Sequence, residues 1–481
     1  MTNLDDVISE VKKREVPTLE EREEVLKLAE MLQARVEEEA QKHQIDVESR
    51  VEGSIAKDTW LRSDKDVDIF LLFHPSLERE KLSTLGLKIA EASVREYGGV
   101  KRYAEHPYIE SRVGDLKVNI VPCYKVELGR WKSSTDRTPF HTEYIKARLR
   151  SAEQKTEVRL LKRFMKGVGV YGADIKTGGF SGYLAELLIL NSGDFVTTLK
   201  AASMWREGEL IDIEGHYKDR VEDAKRLFDD PLIVVDPVDW RRNVASALKK
   251  ECFNTFRAAS KYFLKAPNLA FFYPPQPKPL TQEELRRILI DRGADLIFVI
   301  LENIEAVPDI LWGQLYKTLK SLGRLLRQHD FKLLRSTAWS DERKYSILIF
   351  EVESNRLSRL KKHLGPPVSS ADEEKFLAKH NATAATGAGP WIEADRWAVL
   401  KERKFSEAEA LLTYGLTEGV TVTGIPSRVA KAAKEGVEIL LNEEIEKFYR
   451  KQTEFNVVLV KFLDGRPGWL EQADTVKGAS R

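Results

Sequence analysis

Between residues 19 and 43 the apolar positions Val25, Leu28, Ala29, Leu32 and Val36 recur three and four apart, which puts them on one stripe of a helix. Thr18 with Glu21 forms a capping-box signature at its start. The period then changes. "IDVESRVEG" alternates and ends at Gly53-Ser54, a short helical turn is expected through Ile55 to Leu61, and "DVDIFLLF" reads as a buried strand. An amphipathic helix over 79–97 and strand-like segments near 100–106, 109–113 and 115–123 follow. These elements predict a small mixed sheet carrying helices.

From 140 to 270 the helical period dominates: "TEVRLLKRFMKGVGV" sets Val158, Leu161, Phe164, Met165 and Val168 on one stripe. "SGYLAELLIL" and "RRNVASALKKECFNTFRAASKYFL" continue it, and the Gly-rich "YGADIKTGGFSGY" interrupts it. "YPPQPKPL", 273–280, cannot continue a helix or a central strand and marks a domain boundary. Beyond it "DLIFVIL", a helix over 308–328, "FKLLRSTAW" and "KYSILIFEV" predict a β-α-β-β unit, an arrangement that often presents a sheet to RNA. Residues 369–440 are polar, Ala- and Gly-rich and expected to be helical in patches, and a last amphipathic helix is expected over 437–453. No internal repeat is visible.

Composition narrows the class. The chain has 481 residues, 42% hydrophobic and 32% charged, enough for large cores in roughly two to four domains. No stretch reads as a signal peptide or reaches the ~18 apolar residues of a membrane helix, so no membrane is expected as a partner. The two cysteines, Cys123 and Cys252, make no disulfide framework and lack partners at zinc-ligand spacing. A reduced compartment, the cytoplasm, is the expectation. Lys plus Arg (77) against Asp plus Glu (76) leaves +1, so distribution matters more than the sum. "EVRLLKRFMKG", "DWRRNVASALKK" and "RLSRLKKHLG" are basic segments expected on helices, giving basic surface in the middle and C-terminal thirds.

The chemistry starts at the mouth of the apolar strand. Asp66 and Asp68, two apart, project from one strand face and can share a hard cation. Mg²⁺ typically takes one or two carboxylates together with substrate phosphates. Gly53 and Ser54, a dozen residues earlier, add a close backbone approach, a hydroxyl and an N–H for phosphate. Asp-x-Asp alone also fits a solvated strand end; the Gly-Ser pair upstream and the apolar strand downstream shift the reading to a metal–triphosphate site. The combination resembles the polymerase-β-like nucleotidyltransferases, which use two bound metals and a third acid on a neighbouring strand.

A narrower resemblance is colinear along the chain. "GSIAKDTWLRSDKDVDIFLLF", "RYAEHPYIE", "VNIVPCY", "DRTPFHTEYI", "EVRLLKRFMKGVGVYGA", "GGFSGYLAELLI", "DPVDWRRNVA", "APNLAFFYP" and "HLGPPV" are together similar to the archaeal (class I) CCA-adding enzymes. The resemblance implies an α+β multidomain fold: a nucleotidyltransferase head (1–138), a helical neck that recognises the base (139–272), an α+β body (273–368), a tail contacting the tRNA elbow (369–440) and a C-terminal helix returning to the body (441–481). It implies addition of C, C and A to tRNA 3′ ends from CTP and ATP with Mg²⁺ and without a nucleic-acid template, by a possible homodimer. Ser54 and Lys57 match the family's triphosphate contacts, with Lys57 where Arg is common. Asp66 and Asp68 match its metal-binding acids. His141, Lys162 and Tyr171 match further nucleotide contacts, Arg242 the arginine that reads the incoming base, and Arg137 a phosphate contact.

Asn119 in "DLKVNIVPCY" departs from the pattern, standing where the family carries its third carboxylate. An amide offers a metal only a neutral oxygen and takes no proton. Three explanations compete. The primer proton leaves through water or phosphate while Asn119 ligates weakly; another acid moves in, although Asp115 is ~13 Å along the strand; or the chain is an impaired, tRNA-binding variant. A poly(A) polymerase-type activity is a further alternative.

Overall fold

Helix α1 (Leu4–Glu15), which the hydrophobic pattern did not bring out, precedes α2 (Leu19–Lys42). At the start of α2 the Glu21 N–H donates to the Thr18 hydroxyl at 3.2 Å and the Thr18 N–H to the Glu21 carboxylate at 2.8 Å, the expected capping box. The computed structural model describes residues 3–103, 106–381, 386–449 and 452–470. It falls into two units, one of Met1–Gln276 with Arg466–Arg481 and one of Pro277–Gly465. The division lies within "YPPQPKPL".

In the first unit β1 (Val47–Glu52), α3 (Gly53–Lys57), β2 (Asp66–Phe73), α4 (Arg79–Ser93), β3 (Gly99–Tyr103), β4 (Pro107–Val113) and β5 (Leu116–Tyr124) build a five-stranded sheet ordered β1-β2-β5-β4-β3. Only β2 and β5 pair in parallel. Alternation divides each strand. Val67, Ile69, Leu71, Val118 and Ile120 pack under α2 and α4, which leaves Asp66, Asp68 and Asn119 on the opposite face, beside the small apolar cluster of Phe70, Leu72, Val121 and Cys123.

The remainder of this unit is α5 (Thr138–Arg148), α6 (Ala152–Gly167), α7 (Gly182–Ser192), α8 (Phe195–Met204), β6 (Glu209–Ile211), α9 (Val221–Leu227), β7 (Leu232–Asp236), β8 (Asp239–Asn243) and α10 (Lys250–Lys265). Its core closes on Phe164, whose ring centre lies 5.4–6.1 Å from those of Phe195, Phe256, Phe263, Phe271 and Phe272. Val7 and Val11 of α1 join this core. One expectation is corrected: "DWRRN" is strand, not helix. The wholly buried β7 needs a ladder partner, and Asn243 fixes β8 beside it by accepting from the Val234 N–H at 2.8 Å and donating to the Leu232 carbonyl at 2.9 Å.

The second unit contains α11 (Gln282–Asp291), β9 (Asp295–Glu302), α12 (Pro308–Gln328), β10 (Leu333–Ser340), β11 (Tyr345–Val352), β12 (Leu360–Pro367), α13 (Glu373–His380), β13 (Thr386–Glu393), β14 (Arg396–Glu402), α14 (Ala408–Thr417), α15 (Val420–Thr423), α16 (Ser427–Glu435), β15 (Val437–Leu441), α17 (Glu446–Tyr449) and α18 (Thr453–Asp464). The expected β-α-β-β unit forms as β9, α12, β10 and β11, in a sheet ordered β10-β11-β9-β15. Helices α12, α14 and α16 cover one face, and α11 and α18 the other. Two expectations are corrected. The helical patches expected over 369–440 form as α13, α14, α15 and α16, but β13 and β14 also lie there and pair with β12, so the basic "RLSRLKKHLG", expected as helix, is strand from Leu360. The helix expected over 437–453 begins as β15, because Val437–Leu441 fills the open edge of β9, and α18 starts only at Thr453.

Candidate active site

Asp66 and Asp68 sit where β2 begins, and strand pairing puts Asp68 directly opposite Asn119 on β5. Asn119 donates its amide N–H to Asp68 Oδ1 at 2.9 Å, while its own Oδ1 is buried without a hydrogen-bond partner. Burial, with Asp64 adding repulsion, pushes the Asp66 carboxyl up to about 6; burial alone raises that of Asp68. Gly53 opens the five-residue helical turn α3 directly over this pair. A Cβ at Gly53 would lie 2.2 Å from Asp68 Oδ2, and the backbone there has φ +71°. Only glycine lets the turn carrying Ser54 come so near the acids.

A second group surrounds Glu186. This fully buried carboxylate on α7 accepts from Lys57 at 2.5 Å, Thr59 at 2.5 Å and Lys162 at 3.0 Å. Burial alone would raise its carboxyl, but Lys162 and Lys57 outweigh it and hold it down at about 2. Burial lowers Lys162 to about 8. Two ammonium groups share one carboxylate, leaving a buried excess of one positive charge that an anion would satisfy. The Tyr171 hydroxyl and the Lys162 ammonium both reach the start of α7, where a Cβ on Gly182 would meet them at 3.0 and 3.6 Å. Arg159, which helical spacing assigns to a solvated face, is instead buried and holds the 58–60 segment, donating to the Trp60 carbonyl at 2.8 Å and the Asp58 carbonyl at 2.7 Å.

The third group forms around Asp236 at the end of β7. Its carboxylate accepts from His141 Nε2 at 2.9 Å and from Arg242 at 2.8 Å, and is held below the usual carboxylate range by these partners despite burial. His141 stacks on Tyr183 with ring centres 4.0 Å apart, and Lys57 lies 5.8 Å from the same ring, linking this group to the second. Arg137 pairs with Asp239 at 2.8 Å and, with Arg242, Trp131 and Trp240, lines an open cleft of about 760 Å³. Thus Gly53, Ser54, Asp66, Asp68 and Asn119 gather in one group, Lys57, Lys162 and Tyr171 in the next, and Arg137, His141 and Arg242 in the third.

The sequence reading missed Glu186, Asp236 and Tyr183. The two acids carried a signal. Each is a lone carboxylate in an apolar run, "LAELLIL" and "LIVVD", and a charge so placed is buried and needs a partner. Tyr183 carried none. Among the described residues no group of three or more His, Cys, Asp or Glu side chains gathers at metal-holding distance. The side-chain oxygens near β2 that could hold a cation are the two carboxylates and the Asn119 amide oxygen. All three donors are oxygen, and the unpartnered Asn119 Oδ1 and the crowded acids fit a hard divalent cation.

Comparison with known proteins agrees with this geometry. A nucleotidyltransferase domain matches residues 33–141, the second domain of tRNA nucleotidyltransferase matches 156–273, and the C-terminal domain of CCA-adding enzyme matches 292–456. The CCA-adding enzyme of Methanosarcina barkeri is 37% identical, covering 93% of this chain and 96% of its own length. That of Methanothermobacter thermautotrophicus is 37% identical, with coverages of 88% and 89%. That of Haloarcula marismortui is 32% identical, with 96% and 99%. The sheet bearing Asp66 and Asp68 lies in a nucleotidyltransferase domain, and the chain belongs to the CCA-adding enzyme family.

Proposed function

We propose that the protein adds C, C and A to the 3′ end of tRNA without a nucleic-acid template, consuming CTP and ATP with Mg²⁺ and releasing diphosphate. The observation that carries this reading is the approach of Gly53 to Asp68, which joins a phosphate-sized turn to a pair of cation-binding carboxylates. Asp66, Asp68 and Asn119 Oδ1 would hold the cation. When bound, it supplies positive charge to the triphosphate and the attacking hydroxyl. The N–H groups of the Gly53–Ser54 turn and the buried excess charge of Lys57 and Lys162 receive the triphosphate, with Tyr171 beside them. Arg242 reads the Watson–Crick edge of the base, oriented by Asp236, which also holds His141. Arg137 contacts phosphate.

The neck, body and tail measure the tRNA acceptor arm and elbow by shape and phosphate contacts. Lys361 and Lys401 stand directly opposite each other on β12 and β14; Lys361 is paired with Asp330 at 3.2 Å, which leaves Lys401 as the candidate phosphate contact. No helix among the described residues is long and apolar enough to cross a membrane. The test gives the protein tRNA lacking its 3′ CCA, with labelled CTP and ATP separately and together. Long tails from ATP alone would favour a poly(A) polymerase; tRNA binding with no incorporation at any Mg²⁺ concentration would favour an impaired paralogue.

A further inference from the structure

The open cleft beside Arg242 has tryptophan on two of its walls, and its charges do not all pair. Trp131, ahead of α5, is anchored by an edge contact to Phe140, ring centres 5.1 Å apart, and by the Arg137 guanidinium 5.6 Å from its ring. Trp240 opens β8 just past a tight hairpin. The Tyr217 hydroxyl donates to its carbonyl at 3.0 Å, and the two rings meet edge to face at 6.1 Å. Trp240 is nonetheless 40% exposed, and with Trp131 it faces one cleft, so the apolar surface is gathered rather than scattered. Arg137 takes Asp239 and Arg242 takes Asp236, each at 2.8 Å. Arg241 has no carboxylate partner among the described residues, and its guanidinium lies 4.7 Å from the centre of the Trp240 ring. Held π-faces beside an uncommitted guanidinium suit an unpaired nucleotide, with the base stacked and the phosphate on the arginine.

We propose that this cleft binds the unpaired nucleotide at the 3′ end of the RNA substrate, its base stacked on Trp240 and its phosphate at Arg241. The proposal rests on the nucleotidyl-transfer reading above. The occupant is the RNA's own end rather than the incoming nucleotide, because Arg242 stands between the two. On one side Arg242 donates to Asp236, from which His141 and Tyr183 lead to Lys57 and the phosphate-receiving group. On the other it lines the cleft, where Trp240 and Arg241 wait and neither Lys57 nor Lys162 reaches. A tRNA that lacks its CCA ends in one unpaired nucleotide. Stacking accepts any base there, because every base has a π-face, as substrates of differing sequence require.

The experiment binds three acceptor-stem minihelices to the full chain without CTP or ATP, followed by fluorescence anisotropy. One ends in a single unpaired nucleotide, one carries an abasic residue there, and one is blunt. The abasic residue keeps the phosphate and loses the π-face, and it is expected to bind the unaltered chain about 10-fold more weakly. Trp240→Ala is expected to lose about 10-fold on the first minihelix and under about 2-fold on the other two, and Trp240→Phe to stay within about 3-fold throughout. Arg241→Ala is expected to weaken the first two alike and to reduce the slope of log affinity against log salt by about one. Equal binding of the base-bearing and abasic ends, or equal losses for Trp240→Ala on all three minihelices, overturns the proposal. So does a Trp240→Ala chain whose KM for CTP rises while that for RNA does not, which would give the cleft to the incoming base. If Trp240→Ala fails to fold, as judged by its melting curve, Arg241→Ala and the abasic comparison on the unaltered chain decide. Failure of the unaltered chain to extend any tRNA would count against the functional reading, while base-dependent binding, which needs no turnover, still tests the cleft.

Discussion

Glu186 is a carboxylate with no access to water, and its two lysine partners have none to spare. Replacing it by glutamine removes the one negative charge that compensates Lys57 and Lys162, and we expect Glu186→Gln to lose about 3–5 kcal/mol in urea unfolding. The pH dependence has a definite sign. The folded carboxyl is held at about 2 against a usual 4.5, so its contribution is fully present above the ordinary glutamate range and is lost as pH falls from there toward the folded value. Urea midpoints measured across that window should fall more steeply for the unaltered chain than for Glu186→Gln. Gly53→Ala acts differently. Its Cβ would strike Asp68 Oδ2 in a left-handed turn, and we expect about a 100-fold loss of CMP incorporation with stability lowered by only about 1 kcal/mol, read from kinetics and melting side by side. The Gly-Ser turn and Asp66 with Asp68 were legible because strand parity and glycine's freedom are local properties. Glu186 and Asp236 were overlooked because Lys57, Thr59 and His141, which hold them, come from elements far along the chain, and Arg242, six residues from Asp236, gave no sign of pairing with it.

Strands with an apolar signature of their own, such as β2, β5, β9 and β11, were read correctly even though their partners are distant, and segments without one were not. Helix α2 shows its stripe and capping box in its own residues. By contrast β8, β12 and β15 are strands only because β7, β14 and β9 offer them unpaired edges, and charged or short segments such as "DWRRN" give no alternation to reveal it. The β12–β14 ladder also carries the prediction for tRNA. Burial, Lys361 and Lys379 all lower the Lys401 ammonium, the signature of a surface with cations in excess. Lys401→Ala should weaken tRNA binding and reduce the slope of log affinity against log salt by about one, with the KM for CTP unchanged, and Lys361→Ala, which removes a cation already paired with Asp330, should do so less; filter binding across a salt series measures it.

At the scale of the molecule, the Pro-rich stretch at 273–280 was visible because proline forbids continuation of either regular structure, and the division into two units falls there. The alliance of α1 with the Phe164 core was not visible, since twelve mostly polar residues reveal their buried Val7 and Val11 only once α6 is beside them. Family membership covers nearly the whole chain, and at the centre of the site Asn119 stands opposite Asp68. The central claim is that two carboxylates, one amide and a buried cationic pocket suffice for ordered addition of C, C and A. Incorporation of labelled CTP and ATP into tRNA lacking its 3′ CCA tests it most directly: the account predicts two C residues from CTP alone and a single terminal A once ATP is added. Absence of any incorporation, or long tails from ATP alone, would contradict it.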